Sequence, residues 1–196
     1  MAYIHYERRE IHLKVVYFGP HRSGKTTAVR HIHGKTSREP ATESGPSAGD
    51  YLALTLGTIR GFVPTLHLYA ASGAPAYAAE RSAMLEKADG VVLLADGAPS
   101  SLEANVASHR ELEATLAAHG FALASLPFVL QVNKQDLPDA LEAPALARVI
   151  GVADRAFFGS VATTGAGVFE VLKEVSRQVL QELRRGGEQA PPPQGG

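Results

Sequence analysis

The chain has 196 residues and a formal net charge of −1, so we expect one domain with a full hydrophobic core and no broad basic surface for DNA or RNA. It contains no cysteine, which excludes disulfides and thiolate metal sites and fits a reducing compartment. Its longest apolar stretches, residues 90–95 and 126–132, are too short to span a bilayer, and the N-terminus lacks the apolar core of a secretory signal. We therefore expect a cytoplasmic protein without an integral membrane segment.

Short apolar segments along the chain predict strands. Several are continuous apolar runs, as expected of strands that are covered on both faces. Leu52, Leu54 and Leu56 alternate with polar or small residues instead, which places the second strand nearer an edge of the sheet. A tight turn at residues 58–61 would join it to the third strand as an antiparallel pair. The predicted strands are residues 11–18, 51–59, 62–69, 91–96, 128–132 and 156–161.

Longer segments with helical periodicity follow most of these strands. They predict helices at residues 26–33, 78–87, 101–119, 143–150 and 167–184. Strands that alternate with helices predict a single α/β domain with a mostly parallel, six-stranded sheet, one antiparallel edge strand and helices on both faces. Ligands bind such sheets at the carboxyl ends of the strands.

Three stretches are rich in small, proline and turn-forming residues. We expect residues 35–50 and 70–77 to be loosely structured connections within a domain that covers residues 1–185. Residues 186–196, with three consecutive prolines, are expected to form a disordered tail.

A phosphate-binding loop is predicted between the first strand and the first helix. Its sequence is Gly19-Pro20-His21-Arg22-Ser23-Gly24-Lys25-Thr26, and Thr27 continues the helix. Amides at the helix N-terminus would bind phosphate oxygens, Lys25 would reach the terminal phosphates, and the Thr26 hydroxyl would bind Mg²⁺. The alternative, a glycine-rich turn that only caps a helix, fits this strand–loop–helix context less well. The nucleotide-binding residues predicted here are Gly19, His21, Arg22, Ser23, Gly24, Lys25, Thr26 and Thr27.

A second motif, Asn133-Lys134-Gln135-Asp136, follows the strand at residues 128–132 and predicts a guanine site. The Asp136 carboxylate can accept hydrogen bonds from N1–H and the exocyclic amine of guanine, whereas adenine offers neither donor there. The Lys134 stem can cover the base, and Asn133 can tie this loop to the phosphate loop. Ala162 and Thr163 would close the pocket with their backbone toward the guanine carbonyl. The alternative is a solvated polar loop.

These segments together resemble the MglA family of bacterial Ras-like small GTPases, over residues 3–184. The matching segments are Gly24-Lys25-Thr26-Thr27, His67-Leu68-Tyr69, Ala95-Asp96-Gly97-Ala98-Pro99, Gln131-Val132-Asn133-Lys134-Gln135-Asp136-Leu137-Pro138 and Gly167-Val168-Phe169-Glu170-Val171-Leu172. The resemblance implies a Ras-like P-loop fold and a GTP/GDP switch with Mg²⁺ in cell polarity and gliding or pilus motility. It also implies a dimeric roadblock-type regulator, MglB, or a motility or cytoskeletal effector as partner.

The chain departs from the family pattern where hydrolysis would occur. His21 stands where the family has glycine. The positions of the family's arginine–threonine pair in the first switch fall near Gly45-Pro46, or at an offset from them within this loop, and neither Gly45 nor Pro46 supplies a guanidinium or a hydroxyl. The Pro-Gly-Gln of the second switch is Ser72-Gly73-Ala74, which lacks the amide that orients the attacking water. Because loss of an arginine finger alone costs roughly 10³–10⁵ in rate, we expect slow or absent hydrolysis.

Other residues could compensate, and each has an ordinary interpretation. Asp96 would brace the phosphate loop or contact Mg²⁺. His21 or His67 could be a general base, although His67 fits an edge or core histidine better. Arg81, with Glu80 and Lys87, is interpreted as part of a solvent-facing helix surface.

Four functions therefore stay open at this point. The leading one is a GTP-binding switch with weak hydrolysis, and the alternative is a pseudo-GTPase scaffold that binds its partner independently of nucleotide. A competent GTPase that uses unrecognised residues or a partner's arginine is third. A P-loop kinase is last, because no lid or acceptor-site arginines are recognisable in the sequence.

Overall fold

The structure, a computed structural model, describes residues 2–36 and 49–188. Within these residues seven strands form one sheet in the order β3-β4-β2-β5-β6-β7, with β1 beside the start of β2. The strands are β1 (Tyr3–His5), β2 (Glu10–Phe18), β3 (Gly49–Thr55), β4 (Val63–Ala71), β5 (Gly90–Asp96), β6 (Phe128–Asn133) and β7 (Ala156–Gly159). The neighbours β4 and β2, β2 and β5, β5 and β6, and β6 and β7 are parallel. In contrast, β3 is antiparallel to β4, and β1 is antiparallel to β2. The predicted α/β class with a mostly parallel sheet is confirmed.

Helices cover both faces of the sheet, as predicted. They are α1 (Lys25–Thr36), α2 (Ala78–Leu85), α3 (Leu102–Ala118), α4 (Ala143–Ile150) and α5 (Val168–Glu188). The apolar sides of α1 and α5 pack on one face, and those of α2, α3 and α4 pack on the other. In the described part of the chain, no helix has the length and apolarity needed to cross a membrane.

The sheet differs from the prediction by one strand. Three residues, Tyr3–His5, form β1, which pairs with residues 10–12 of β2. So short and polar a segment carries no periodicity of its own, and its partner on β2 fixes its conformation. At the edge of the sheet, β3 ends at Thr55, four residues before the predicted end. The predicted turn is confirmed, because Ile59 and Phe62 exchange two backbone hydrogen bonds of 2.8 and 2.9 Å around Arg60 and Gly61, which both have positive φ.

The segment at residues 70–77 is ordered, so the prediction of a loose connection is wrong there. β4 continues to Ala71, and a short 3₁₀ turn at Pro75–Tyr77 leads into α2. At residues 35–50, Lys35 and Thr36 end α1 and Gly49 begins β3; residues 37–48 lie outside the described residues. α5 extends to Glu188, and because residues 189–196 are also outside, the predicted tail stays a prediction.

Burial of the central strands places the site. All seven residues of β5 and all six of β6 are buried, and so are the last four of β2. These parallel strands end side by side at Phe18, Asp96 and Asn133, so the connections that follow them meet at one edge of the sheet.

Candidate functional site

The loop between β2 and α1 wraps closely against the end of β6. Gly24 has φ of +109°, and a Cβ there would lie 2.2 Å from Asn133 Nδ2. Both the backbone conformation and the contact distance therefore require glycine at this position. α1 begins at the next residue, so its free amide groups point into the loop.

Lys25 folds over the loop from the first turn of α1. Its Nζ donates hydrogen bonds to the carbonyl oxygens of Gly19 (2.8 Å) and Pro20 (2.7 Å) and lies 3.4 Å from Ser23 Oγ. Burial, and secondarily the nearby charge of Arg81, lower the pKa of Lys25 to about 8. A phosphate at the loop would counter both causes, because an opposite charge favours the ammonium form.

The next two residues of α1 differ in exposure. Thr26 is half-buried beside the loop, and Thr27 is exposed. Their placement in the first turn is the one that the phosphate-loop motif predicts.

Asn133, the last residue of β6, links three segments through a buried hydrogen-bond network. Its Nδ2 donates to the carbonyl of Ser23 (2.8 Å), which is the tie to the phosphate loop that the sequence predicts. Its Oδ1 accepts from the backbone N–H of Ala162 (2.8 Å) and from Ser160 Oγ (3.3 Å). Gln131 Nε2 in turn donates to Ser160 Oγ (2.9 Å). The side-chain amide therefore has one defined orientation, and it holds the phosphate loop and residues 160–162 at a fixed separation.

The same segments enclose a cavity of about 250 Å³. It is lined by Arg22, Gly24, Thr27, Asn133, Lys134, Asp136, Leu137, Val161, Ala162 and Thr163. Most of the predicted nucleotide-binding residues are in this set, and Leu137 and Val161 are the members that the sequence reasoning missed. Leu137 directly follows Asp136 and Val161 directly precedes Ala162, and this adjacency is the sequence signal that could have identified them. Pockets for drug-sized ligands have roughly 300–1,000 Å³, so this cavity has room for a smaller group, of about the size of one base.

The remaining predicted residues lie beside the cavity. Gly19, Ser23, Lys25 and Thr26 form the loop and the first turn of α1, as described above. His21 is exposed. The Ala162 N–H, assigned from the sequence to face a guanine carbonyl, is donated to Asn133.

Lys134 is held over the cavity by Asp96. Lys134 has φ of +64°, and its Nζ lies 2.5 Å from Asp96 Oδ2. The other carboxylate oxygen of Asp96 accepts from the backbone N–H of Ala98 (3.0 Å). The sequence left open a brace for the phosphate loop or a Mg²⁺ contact; the carboxylate instead binds the lysine of the second motif. The partner of this carboxylate is 38 positions along the chain, and no local pattern marks it.

His67 lies away from this site. It occupies the middle of β4, paired in register with Lys14, four residues before the end of β2. Its ring contacts Tyr51 OH (2.6 Å) and His12 Nδ1 (2.9 Å), and burial and the neighbouring His12 lower the pKa of His67. His67 is therefore part of the sheet, which agrees with its interpretation as an edge or core histidine and not with a general base. Gly45 and Pro46, the positions of the first-switch pair, lie outside the described residues.

The interpretation of Arg81 as a solvent-facing residue is wrong. Glu80 and Lys87 are exposed, but Arg81 is only 5% exposed and bonds to Glu111 and to the carbonyls of Ser72 and Ala74. The available signal was its spacing, because Arg81 stands four residues before Leu85, on the buried side of α2.

A phosphate loop after the central strand, a base-recognition motif two strands further along the sheet and one cavity between them define the class of Ras-like P-loop small GTPases. No family model matches the chain. Over 195 residues the chain is 40% identical to the mutual gliding-motility protein MglA of Myxococcus xanthus (strain DK1622). The aligned region covers 95% of this chain and all of that protein. The chain belongs to the MglA family of Ras-like small GTPases.

Replacement of Asn133 tests the network at the end of β6. Asn133→Ala should lower the free energy of unfolding by about 2 kcal/mol, because the Ser23 carbonyl and the Ala162 N–H lose their buried partner. Denaturant unfolding measures the loss, and hydrogen exchange should speed up at the Ala162 amide. Thr163→Ala, at an exposed neighbour, should change stability by less than about 0.5 kcal/mol. Unchanged exchange at Ala162 would contradict the network.

Proposed function

We propose that this protein binds GTP and GDP with Mg²⁺ and hydrolyses GTP slowly or not at all. The observation that carries the proposal is the meeting of two motifs in one cavity. Gly24 of the phosphate loop, Thr27 of the helix that follows it, and Asn133 and Asp136 of the base motif line the same space, although more than 100 positions separate Thr27 from Asn133.

The residues fit the parts of a guanine nucleotide. The backbone amides at the start of α1 and the Lys25 ammonium would bind the phosphates, and the Thr26 hydroxyl with phosphate oxygens would hold Mg²⁺. Asp136, exposed at the cavity, would accept from the two donors on the guanine edge. Because Asp96 fixes the Lys134 ammonium, the lysine stem would form one wall for the base.

Replacement of the Asp136 carboxylate tests this assignment. Asp136→Asn should weaken GDP binding at least about a hundredfold, because an amide nitrogen cannot accept from N1–H and the exocyclic amine. Xanthine has a carbonyl in place of that amine, so the variant should gain affinity for xanthosine diphosphate. Calorimetric titration of both nucleotides measures the exchange. Asp139→Asn, at an exposed carboxylate three residues further on, is the matched control. Undiminished GDP affinity in Asp136→Asn would refute the guanine assignment.

The residue types at two positions support weak hydrolysis. Ala74 supplies a methyl group where a water-orienting amide is needed, and His21 adds bulk at the third loop position. The buried Arg81 uses four of its five N–H donors on two carbonyls and Glu111, so its guanidinium is held away from the role of an arginine finger.

A single-turnover assay tests the hydrolytic prediction. With GTP and Mg²⁺ bound, we expect no phosphate release above the rate of the intrinsic, unstimulated Ras reaction, which is roughly 3–5 × 10⁻⁴ s⁻¹. A double variant, His21→Gly with Ala74→Gln, restores the space and the amide and should release phosphate faster than the wild type. Wild-type turnover on the timescale of a minute would show that other residues, or the described side chains in another arrangement, support catalysis.

The relative's name assigns that protein to gliding motility. By extension we propose that this chain acts in the cytoplasm in cell polarity or gliding motility. Its partner would be a roadblock-type, MglB-like regulator or a motility or cytoskeletal effector.

A nucleotide-independent scaffold is the second candidate function. Ala74 favours it, because an alanine side chain cannot contact a γ-phosphate through a hydrogen bond and pass that contact on to a partner. The two candidates differ in how a roadblock-type protein binds. Equal affinity for the GDP form and for the form with a non-hydrolysable GTP analogue supports the scaffold, and a difference of about tenfold or more supports the switch.

A further inference from the structure

Arg81 is a buried arginine that none of the proposed nucleotide contacts uses. It lies in α2 with a side chain that is 6% exposed, and its Cζ is 5.8 Å from the centre of the Phe18 ring, directly before the phosphate loop. Nε donates to Glu111 Oε1 (2.9 Å), and Nη2 donates to the same oxygen. Nη1 donates to the carbonyls of Ser72 (2.8 Å) and Ala74 (3.0 Å). The guanidinium therefore joins α3 to the segment that connects β4 with α2.

The segment that Arg81 holds lies against the phosphate loop. A Cβ on Gly73 would lie 2.4 Å from the backbone nitrogen of His21 and 2.6 Å from the carbonyl carbon of Pro20. Real Cβ atoms do not approach backbone that closely, so only glycine permits this contact. The two carbonyls that Arg81 binds flank this glycine on both sides. Arg81 thus fixes the backbone that touches residues 20 and 21.

This contact is at the terminal-phosphate end of the proposed site. In a phosphate-binding loop the lysine at the position of Lys25 reaches the β- and γ-phosphates. Here Lys25 Nζ donates hydrogen bonds to the carbonyls of Gly19 and Pro20. Asp136 and the base cavity lie at the other end, with Asn133 and Gly24 between them. A change at residues 72–74 should therefore be felt first by the last phosphate and hardly by the base.

Charge supports the same placement. The Arg81 guanidinium is close enough to Lys25 to contribute to the lowered pKa of that ammonium. Glu111 balances part of the Arg81 charge, and an anionic phosphate at the loop would be attracted by both cations.

We propose that Arg81, oriented by Glu111, is a positioning residue that presses Ser72–Ala74 on the phosphate loop and thereby sets the preference for a nucleoside triphosphate over a diphosphate. The inference rests on the proposed function, because it assumes that the site binds a guanine nucleotide. This role requires a guanidinium, because its forked N–H donors can bind two carbonyls and a carboxylate at the same time.

Titration of two nucleotides with matched variants tests the inference. Arg81→Gln should weaken binding of a non-hydrolysable GTP analogue about tenfold and binding of GDP less than about twofold, because the terminal-phosphate wall is no longer pre-organised. Arg81→Lys keeps a cation without the fork and should shift the ratio in the same direction. Glu111→Gln, which leaves the arginine in place, should shift it by a smaller factor. Arg110→Gln, at an exposed arginine of α3, is the control and should leave the ratio unchanged.

The ratio of the two affinities separates positioning from general stability. Equal losses for both nucleotides in the Arg81 variants, or no loss in either, would overturn the inference while the proposed function stands. If Arg81→Gln does not fold, Arg81→Lys and Glu111→Gln carry the test, and an unchanged ratio in both has the same consequence. Wild-type protein that binds neither nucleotide would instead refute the proposed function.

Discussion

The candidate site depends on the side-chain amide of one residue, Asn133. Its two ends hold the Ser23 carbonyl of the phosphate loop and the Ala162 N–H of the loop after β7. Because all three groups are buried, neither end can exchange its partner for water without a desolvation cost. The amide also occupies the space next to Gly24, so the loop can lie this close to β6 only because residue 24 is glycine. One polar side chain therefore sets the distance between the phosphate half and the base half of the cavity.

Short-range patterns made much of this architecture predictable. The phosphate loop and the Asn133–Asp136 motif each carry their chemistry in consecutive residues, and the buried runs before them, as in β5 and β6, show where each strand ends. Adjacent parallel strands then bring the motifs to one edge of the sheet. The α/β class and the helices followed from the same periodicities. β1 escaped because three residues are too few to show a period.

What could not be predicted depends on partners that are distant in sequence. Arg81 finds its carboxylate 30 positions away on α3, and Asp96 finds Lys134 38 positions away. Neither pairing leaves a local pattern. The spacing of Arg81 to Leu85 marks the buried side of α2 but not the carboxylate that Arg81 binds, and Asp96 looked like a phosphate-loop brace. The connection at residues 70–77 looked loose for the same reason, since its small side chains carry no information about the guanidinium that binds its carbonyls. Tertiary contacts override composition there.

The central position of β2 has a consequence for synthesis of the chain. This strand is among the first to leave the ribosome, yet its two long parallel neighbours, β4 and β5, are encoded 45 or more residues later. Until they emerge, a strand whose last four side chains are all destined for the interior has open edges. Contacts of such long sequence separation form slowly, and an apolar strand that waits for them is prone to pair with other nascent chains. In the folded chain the antiparallel strand β1, which precedes β2, covers the start of one of its edges, and the same pairing during synthesis would shield that edge.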